Sequence, residues 1–230
     1  LSLIIPVYNE RAAIERCLTN LETLEGPVEV IFADGGSADG TVEAIGDRYP
    51  VLSCPKGRAR QMNAAAAAVA GDVLWFSHCD SLLPADGPEQ IRREVEAGAV
   101  FGCFTIAFDY DGPFMGCNTF LSNFRSRRWH IAFGDQGIFV RRDLFRAMGG
   151  FPDLPLMEDY ELSRRMKARK IPLTVLPGQI VTSARRYRQG SPLVTMAKMF
   201  CLRCLYRAGV NIEKSPGSTR TSGRAGPGGE

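Results

Sequence analysis

The stretch "LSLIIPVYNE", Leu1 to Glu10, is a continuous apolar run to Val7 that breaks abruptly into three polar positions. Such a run reads as a strand buried on both faces, the kind found in a parallel sheet covered by helices. The next segments repeat the theme. Glu10–Leu24 carries Ala13, Ile14, Cys17, Leu18 and Leu21 on one helical stripe. Val28–Ala33 ("VEVIFA") is a second strand, followed by the turn-rich "DGGSADG" and a short helix from Thr41. Arg58–Ala70 is Ala-rich and therefore helical, and Asp72–His78 is a further buried strand. Strands alternating with helices through short loops predict an α/β fold with a mostly parallel sheet, right-handed crossovers and helices on both faces. Open sheets of this kind bind ligands beyond the carboxyl ends of their strands. That rule sets Tyr8–Glu10, Asp34 and His78–Asp80 on one rim.

The second half is less regular. Val100–Phe108 reads as a strand and Asn118–Trp129 as a helix carrying "RSRRW". "QGIFVRR" (136–142) is another strand, and the helix after it stops at Gly149-Gly150. Glu158–Arg169 is helical, Leu173–Leu176 and Ile180–Tyr187 are strand-like, and Leu193–Gly209 is an amphipathic helix. From Lys214 the chain is rich in Gly, Ser and Pro without an apolar anchor, which predicts a disordered tail over 213–230. The expected organisation is a single domain over 1–212. It divides into halves at 1–100 and 101–212, the second carrying the C-terminal helix.

Length and composition agree with one globular domain: 230 residues, 45% hydrophobic and 23% charged. The charge is divided. The first hundred residues hold 8 basic and 15 acidic side chains (net −7), and the rest hold 20 and 10 (net +10). An acidic half suits a cation, and a basic half suits an anionic substrate or a membrane surface. No recognised nucleic-acid motif accompanies the basic residues, so no nucleic-acid partner is expected. The seven cysteines are odd in number and scattered, which argues against a disulfide framework and for a reducing compartment. Cys201 and Cys204 form a CxxC inside an apolar helical pattern and read as structural. No run of eighteen apolar residues is present. The expected location is cytoplasmic; the helix at 193–209 reads first as a terminal helix packed on the domain, with a peripheral contact at the inner face of the membrane as the alternative.

The sequence lacks GxGxxG, a Walker loop and GxSxG, which excludes the common dinucleotide, P-loop and hydrolase readings. It contains instead "IIPVYNE", "ADGGSADGT", "GRARQMNAA", "FSHCDSLLP" and "MEDYELSRRMK", in that order. "HCD", His78 to Asp80, places three metal-capable residues side by side. Zinc is disfavoured there. On an extended strand neighbouring side chains point to opposite faces, and the only other histidine is His130.

Together these five segments resemble the signature blocks of the family 2 glycosyltransferases, over about residues 1–209. The resemblance implies the GT-A fold, a small single-domain subgroup, and a hexosyltransferase-type enzyme. Such an enzyme would move one sugar from a nucleotide-diphosphate sugar, bound by the half at 1–100, to an unknown acceptor hydroxyl, on a lipid-linked molecule or another, bound by the half at 101–212. It implies that Pro6, Tyr8 and Glu10 line the nucleoside pocket, with Asp34 meeting the base or ribose. The family's usual second acid there is replaced by Gly35. It implies that Gly57 allows close approach to the donor, that Arg58 or Arg60 reaches the diphosphate, and that Asn63 braces the loop. Where the family has Asp-x-Asp, this chain has His78 and Asp80; His78 would meet the ribose, and Asp80 would hold Mg²⁺ or Mn²⁺. Within "MEDYEL", Asp159 would be the base beside Glu158, with inversion at the anomeric carbon. Asp135 and Gln136 would line the acceptor pocket, and Arg185 and Arg186 would clamp the diphosphate or the acceptor. Two other readings fit the same residues. One is a catalytically inactive GT-A module that binds sugar nucleotides or a protein; the other is a nucleotidyltransferase on a similar sheet.

Overall fold

Among the described residues of the first 184, seven α-helices and eight strands alternate along the chain. The structure is a computed structural model that describes residues 1–110, 113–184, Val194, Ala197, Cys201, Cys204, Leu205 and Tyr206. Its contacts divide the chain into two units, Leu1–Gln189 and Gly190–Glu230. All six described residues of the second unit are helical. Arg185, Arg186, most of 193–209 and the tail from 213 lie outside the described residues.

The opening run becomes β1 (Ser2–Val7), buried at every position. It lies between β2 (Glu29–Asp34) and β4 (Val73–Phe76), parallel to both, and β2 is flanked in turn by the parallel β3 (Val51–Ser53). Pro6 sits within this central strand. The register with β4 ends at Ile4, so Pro6, which has no N–H to give, falls where that neighbour has stopped pairing.

Beyond β4 the sheet is mixed. Its full order is β3-β2-β1-β4-β7-β6-β8-β5. β7 (Phe139–Arg141) runs antiparallel to β4 and to β6 (Phe101–Phe108). β8 (Thr174–Thr182) is parallel to β6, and the two-residue β5 (Ser81–Leu82) returns antiparallel along it. The two strand-like pieces expected at 173–176 and 180–187 join as one strand up to Thr182, while 185–187 lie outside the described residues. An irregularity opposite Phe104/Thr105 admits Pro177 and Gly178, and Thr105 Oγ1 donates to the Gly178 carbonyl at 2.8 Å.

Alternation along the strands divides the core into two layers. Ile4, Ile31, Ala33, Leu74 and Phe76 face one side, where α3 (Arg58–Ala68) packs Ala59, Met62, Ala65 and Ala66. α6 (Arg142–Ala147) and α7 (Glu158–Ala168) add Phe145, Leu162 and Met166 to that side. Leu3, Ile5, Val7, Phe32 and Trp75 face the other side, against Ile14, Cys17, Leu18 and Leu21 of α1 (Arg11–Leu21). Spacings of three and four along α1 give the single apolar stripe that this packing needs. The same layer holds Ile45 of α2 (Thr41–Ile45) and Ile91 of α4 (Gly87–Glu96). α4, β3 and β5 were not foreseen. α5 (Pro113–Trp129) begins five residues earlier than its sequence pattern suggested.

Candidate active site

Because β1 to β4 are parallel, their carboxyl ends form one rim, and each strand delivers a polar loop to it. After β1, Asn9 takes a left-handed conformation (φ 53°). Its N–H donates to Ser37 Oγ at 2.9 Å, and its Oδ1 accepts the Ala38 N–H at 2.9 Å. The Glu10 and Arg11 N–H groups donate to Thr41 Oγ1 and Asp39 Oδ2. The loops after β1 and β2 are thus joined into one surface. Tyr8 stands on it 38% exposed, with Lys56 Nζ 3.7 Å above its ring.

Asp34, the last residue of β2, is buried. Its carboxylate accepts the N–H groups of Gly36 (2.9 Å) and Ser37 (3.1 Å). These bonds fix the carboxylate at the strand end. Beside it, a Cβ on Gly35 would meet the Gln61 carboxamide at 3.1 Å, so a second acid there would press on Gln61.

Gln61 went unnoticed in the sequence and is the brace of this corner. Buried on α3, its Nε2 donates to the Val7 carbonyl (2.7 Å) and the Ala33 carbonyl (2.8 Å). Its Oε1 accepts the Gly57 N–H at 3.3 Å. One side chain therefore ties the ends of β1 and β2 to the turn that starts α3. Gly57 itself lies at φ 140°, a conformation that favours glycine. A polar residue on the buried stripe of an Ala-rich helix was the available signal.

His78, Cys79 and Asp80 follow β4 in a turn closed by the Ser81 N–H on the His78 carbonyl at 3.2 Å. They are not on an extended strand, so strict alternation is not what separates them. Cys79 nevertheless enters the core, where a hydrogen bond with Cys17 and burial hold its thiol strongly protonated. Such a thiol is no metal ligand. Asp80 is half-buried and immediately precedes β5, whose pairing of Ser81 with Thr182 anchors the turn. Among the described residues, no three His, Cys, Asp or Glu side chains are arranged to hold a metal ion.

His78 points somewhere the sequence did not suggest. A Cβ built on Gly134 would stand 2.8 Å from His78 Nε2 and 3.2 Å from Asp159 Oδ2. The imidazole and the Asp159 carboxylate therefore meet at Gly134, and only a residue without a side chain fits between them. The Gly134 N–H donates to Asp159 Oδ2 at 2.6 Å, and the Tyr160 N–H donates to Oδ1 at 2.6 Å. Asp159 lies in the first turn of α7, where the helix dipole favours a carboxylate. Against it lies a cavity of about 10 Å³, lined by Met62, Phe76, His78, Gly134, Phe151 and Glu158 among others. That is about the room one water needs.

Glu158 and Asp159 are neighbours with different surroundings. Glu158 is 1% exposed, and its Oε1 accepts from Arg58 Nε. Burial, then the Asp159 charge, pushes the Glu158 carboxyl up, against the pull of Arg58. For Arg58, burial alone would favour loss of its proton; Glu158 first, then Asp159, outweigh it and hold the guanidinium firmly charged. Asp135 also acts on Arg58 and is half-buried in the 3₁₀ turn Gly134–Gln136.

Three expected contacts are taken up inside the protein. Arg60 pairs with Asp153 at the surface, at 2.8 Å. Asn63 donates to the Phe151 carbonyl (2.8 Å) and accepts the Phe151 N–H (2.9 Å), bracing Gly150-Phe151 rather than the turn at Gly57. Gln136 is fully buried, and its Oε1 accepts from Ser126, Arg125 and Phe133. Asn63 and Gln136 thus spend their amide groups within the protein, while Arg60 stays at the surface beside Asp153.

The family model for glycosyl transferase family 2 matches residues 2–149. Probable glycosyltransferase YdaM of Bacillus subtilis (strain 168) is 25% identical over 197 residues, covering 72% of this chain and 46% of the relative. The chain thus spans about half the length of the curated relative it matches. A mannosyltransferase from Pyrobaculum calidifontis, solved with GDP-Man and Mn²⁺, shares 22% identity and superposes with a TM-score of 0.61. That match covers 78% of this chain and 55% of the other. TarS of S. aureus, residues 1–349 with UDP-GlcNAc, gives 18% identity and a TM-score of 0.64, covering 79% of this chain and 58% of the other. These likenesses show the GT-A fold.

Proposed function

The chain belongs to glycosyl transferase family 2, and from that premise we propose that it is an inverting, divalent-metal-dependent glycosyltransferase using a nucleotide-diphosphate sugar. The observation that carries this reading is the meeting of Asp159, Gly134 and His78 beside the rim that bears Tyr8, Asp34 and Asp80. Both structural relatives above were solved with a nucleotide sugar, one of them with Mn²⁺.

In this proposal Tyr8 and Asp34 receive the nucleoside, with Lys56 and the backbone around Gly57 beside the phosphates. Pro6 and Glu10 shape the base of that pocket. Asp80 is the residue that would hold Mg²⁺ or Mn²⁺. The available donor set fits such an ion: a single carboxylate oxygen ligand, no converging thiolate or imidazole cluster among the described residues, and phosphate oxygens to complete the shell. Bound there, the ion would supply charge neutralisation to the departing nucleoside diphosphate.

The acceptor hydroxyl oxygen attacks the anomeric carbon and its proton passes to Asp159. The bond from that carbon to the phosphate oxygen breaks, and its electron pair leaves with the nucleoside diphosphate. A single displacement of this kind inverts the anomeric centre. Gly134 and Tyr160 aim the base. Glu158, tied to Arg58, positions the helix end and is not itself the base. Asp135, on the same turn as Gly134, faces the acceptor, and Gln136 holds that turn from within. Asn63 fixes the approach to α7, and Arg60 braces it from the surface.

A panel of nucleotide sugars with Mn²⁺, read by thermal shift and donor consumption, tests the reading. At least one donor should stabilise the protein and be consumed; if none does either, the proposal fails. Asp80→Ala should abolish metal-dependent donor binding. His78→Ala should lower turnover more than donor affinity, because the imidazole lies against Asp159 and Gly134. Equal loss of donor affinity in both variants would make His78 a metal ligand instead.

A further inference from the structure

We propose that α5 is a docking face for an anionic lipid bilayer, independent of the reading of the rim. The outer side of this helix carries Phe120, Leu121, Phe124 and Trp129 at 66%, 47%, 45% and 54% exposure. Among the described residues of the first unit, the other large hydrophobic side chains this exposed are two tyrosines, Tyr8 and Tyr110. Phe120 stacks on Phe124 and Phe124 meets Trp129 edge-on, each pair with centroids 6.1 Å apart.

The other side of the helix is firmly attached, so this face is fixed outward. Met115 and Ser126 are buried, and Asn123 bonds both the N–H and the carbonyl of Ile106 on β6. Ser126 bonds Gln136.

Charge selects the occupant. Pro113–Trp129 contains no acidic residue, and the exposed Arg127 and Arg128 stand beside Trp129 at its C-terminal end. Lys167 Nζ joins that end by donating to the Trp129 carbonyl at 2.9 Å. A second copy docked face to face by two-fold symmetry would find on α5 no carboxylate to answer these arginines. Phospholipid phosphates answer them, while the aromatic rings enter the headgroup boundary. This face is separate from the segment 193–209, where the sequence predicts an amphipathic helix.

The test is co-sedimentation of the full chain with vesicles of phosphatidylcholine alone and of equal phosphatidylcholine and phosphatidylglycerol. Binding is expected to the mixed vesicles, weakening as salt rises. Phe120→Ser with Phe124→Ser should reduce partitioning by about tenfold or more at unchanged melting temperature. Arg127→Gln with Arg128→Gln should reduce it about tenfold on the mixed vesicles. The proposal is overturned if the full chain binds neither vesicle, or if both double variants bind undiminished. It is equally overturned if the Ser variant dissociates a dimer in vesicle-free buffer. A lowered melting temperature in that variant, with binding retained by the Gln variant, would assign the face to packing within the chain and overturn it too.

Discussion

The two rims of the parallel strands use the same kinds of side chain differently. At the amino-end rim, Ser2 Oγ donates to Glu29 Oε2 at 2.6 Å, and the Ala70 N–H reaches the same carboxylate at 3.0 Å. The Gly71 N–H donates to Ser2 Oγ, and the Arg142 guanidinium takes the Gly71 carbonyl. That rim is closed on itself: a Cβ on Gly71 would lie 2.5 Å from Ser2 Oγ. At the carboxyl-end rim, Asp34 and Asp159 are held by backbone N–H groups, and among the described residues no cation is bonded to either. Asp34 and Asp159, aimed by amides, keep lone pairs for a ligand, whereas Glu29 spends its oxygens tying Ser2 to Ala70 and serves stability. The contrast between Asp159 and its neighbour Glu158, which Arg58 occupies, repeats the lesson within one helix turn.

Removing Arg58 is expected to have the largest effect on stability. Arg58→Ala leaves Glu158 buried without its cation and should cost about 3 kcal/mol, the low end for such pairs because Arg58 is 31% exposed. Urea unfolding measures it. The sign with pH follows from the raised Glu158 carboxyl: the protonated form is the better tolerated, so stability should fall as pH rises through that pKa, more steeply in the variant. Unchanged unfolding would show that the pair does not join α3 to α7.

Gln61→Leu should come next, at about 2 kcal/mol, because the Val7 and Ala33 carbonyls lose a buried donor. Donor affinity should fall with it, since the loops after β1 and β2 lose their common brace. A variant that lost stability but kept donor affinity would separate the brace from the pocket.

The smallest effect belongs to the closed rim. Burial alone would raise the Glu29 carboxyl. The Ser2 hydrogen bond, then Ala70 and Gly71, with Arg142, more than offset it and hold the group below 4.5. A lowered carboxyl contributes stability above its unfolded value and loses it as pH falls through the folded one. Glu29→Gln should cost about 0.5 kcal/mol or less, since Glu29 is solvent-exposed, and only above about pH 4.5. Equal melting of the variant and the parent at pH 7 and pH 3 would remove Glu29 from the account.

These pairs also mark what the sequence could disclose. β1, β2, α1 and α3 were legible because continuous apolar runs and three–four spacing each have one structural solution. α4 was missed because its exposed faces are charged and, beside buried Gly87, Pro88 and Gln90, Ile91 is its one fully buried large apolar side chain. The antiparallel β7 and the single bulged β8 depend on pairing partners far away in sequence, which local pattern does not encode. In the proposed site, the motifs are what single out Asp34, Asp80 and Asp159. Arg58 with Glu158, and Gln61 with Val7, are partners 100 and 54 residues apart, and no local signal pairs them. Gly134 could not be read as the separator of His78 and Asp159 until both were in place.

The central claim is that Asp159 is the base of a sugar transfer whose donor binds elsewhere on the rim. Its most direct test is Asp159→Asn, with donor binding and transfer measured on the same preparation once a donor is known. The account predicts donor affinity near that of the parent and a loss of transfer of at least about a hundredfold. Transfer near the parental rate in Asp159→Asn would contradict it.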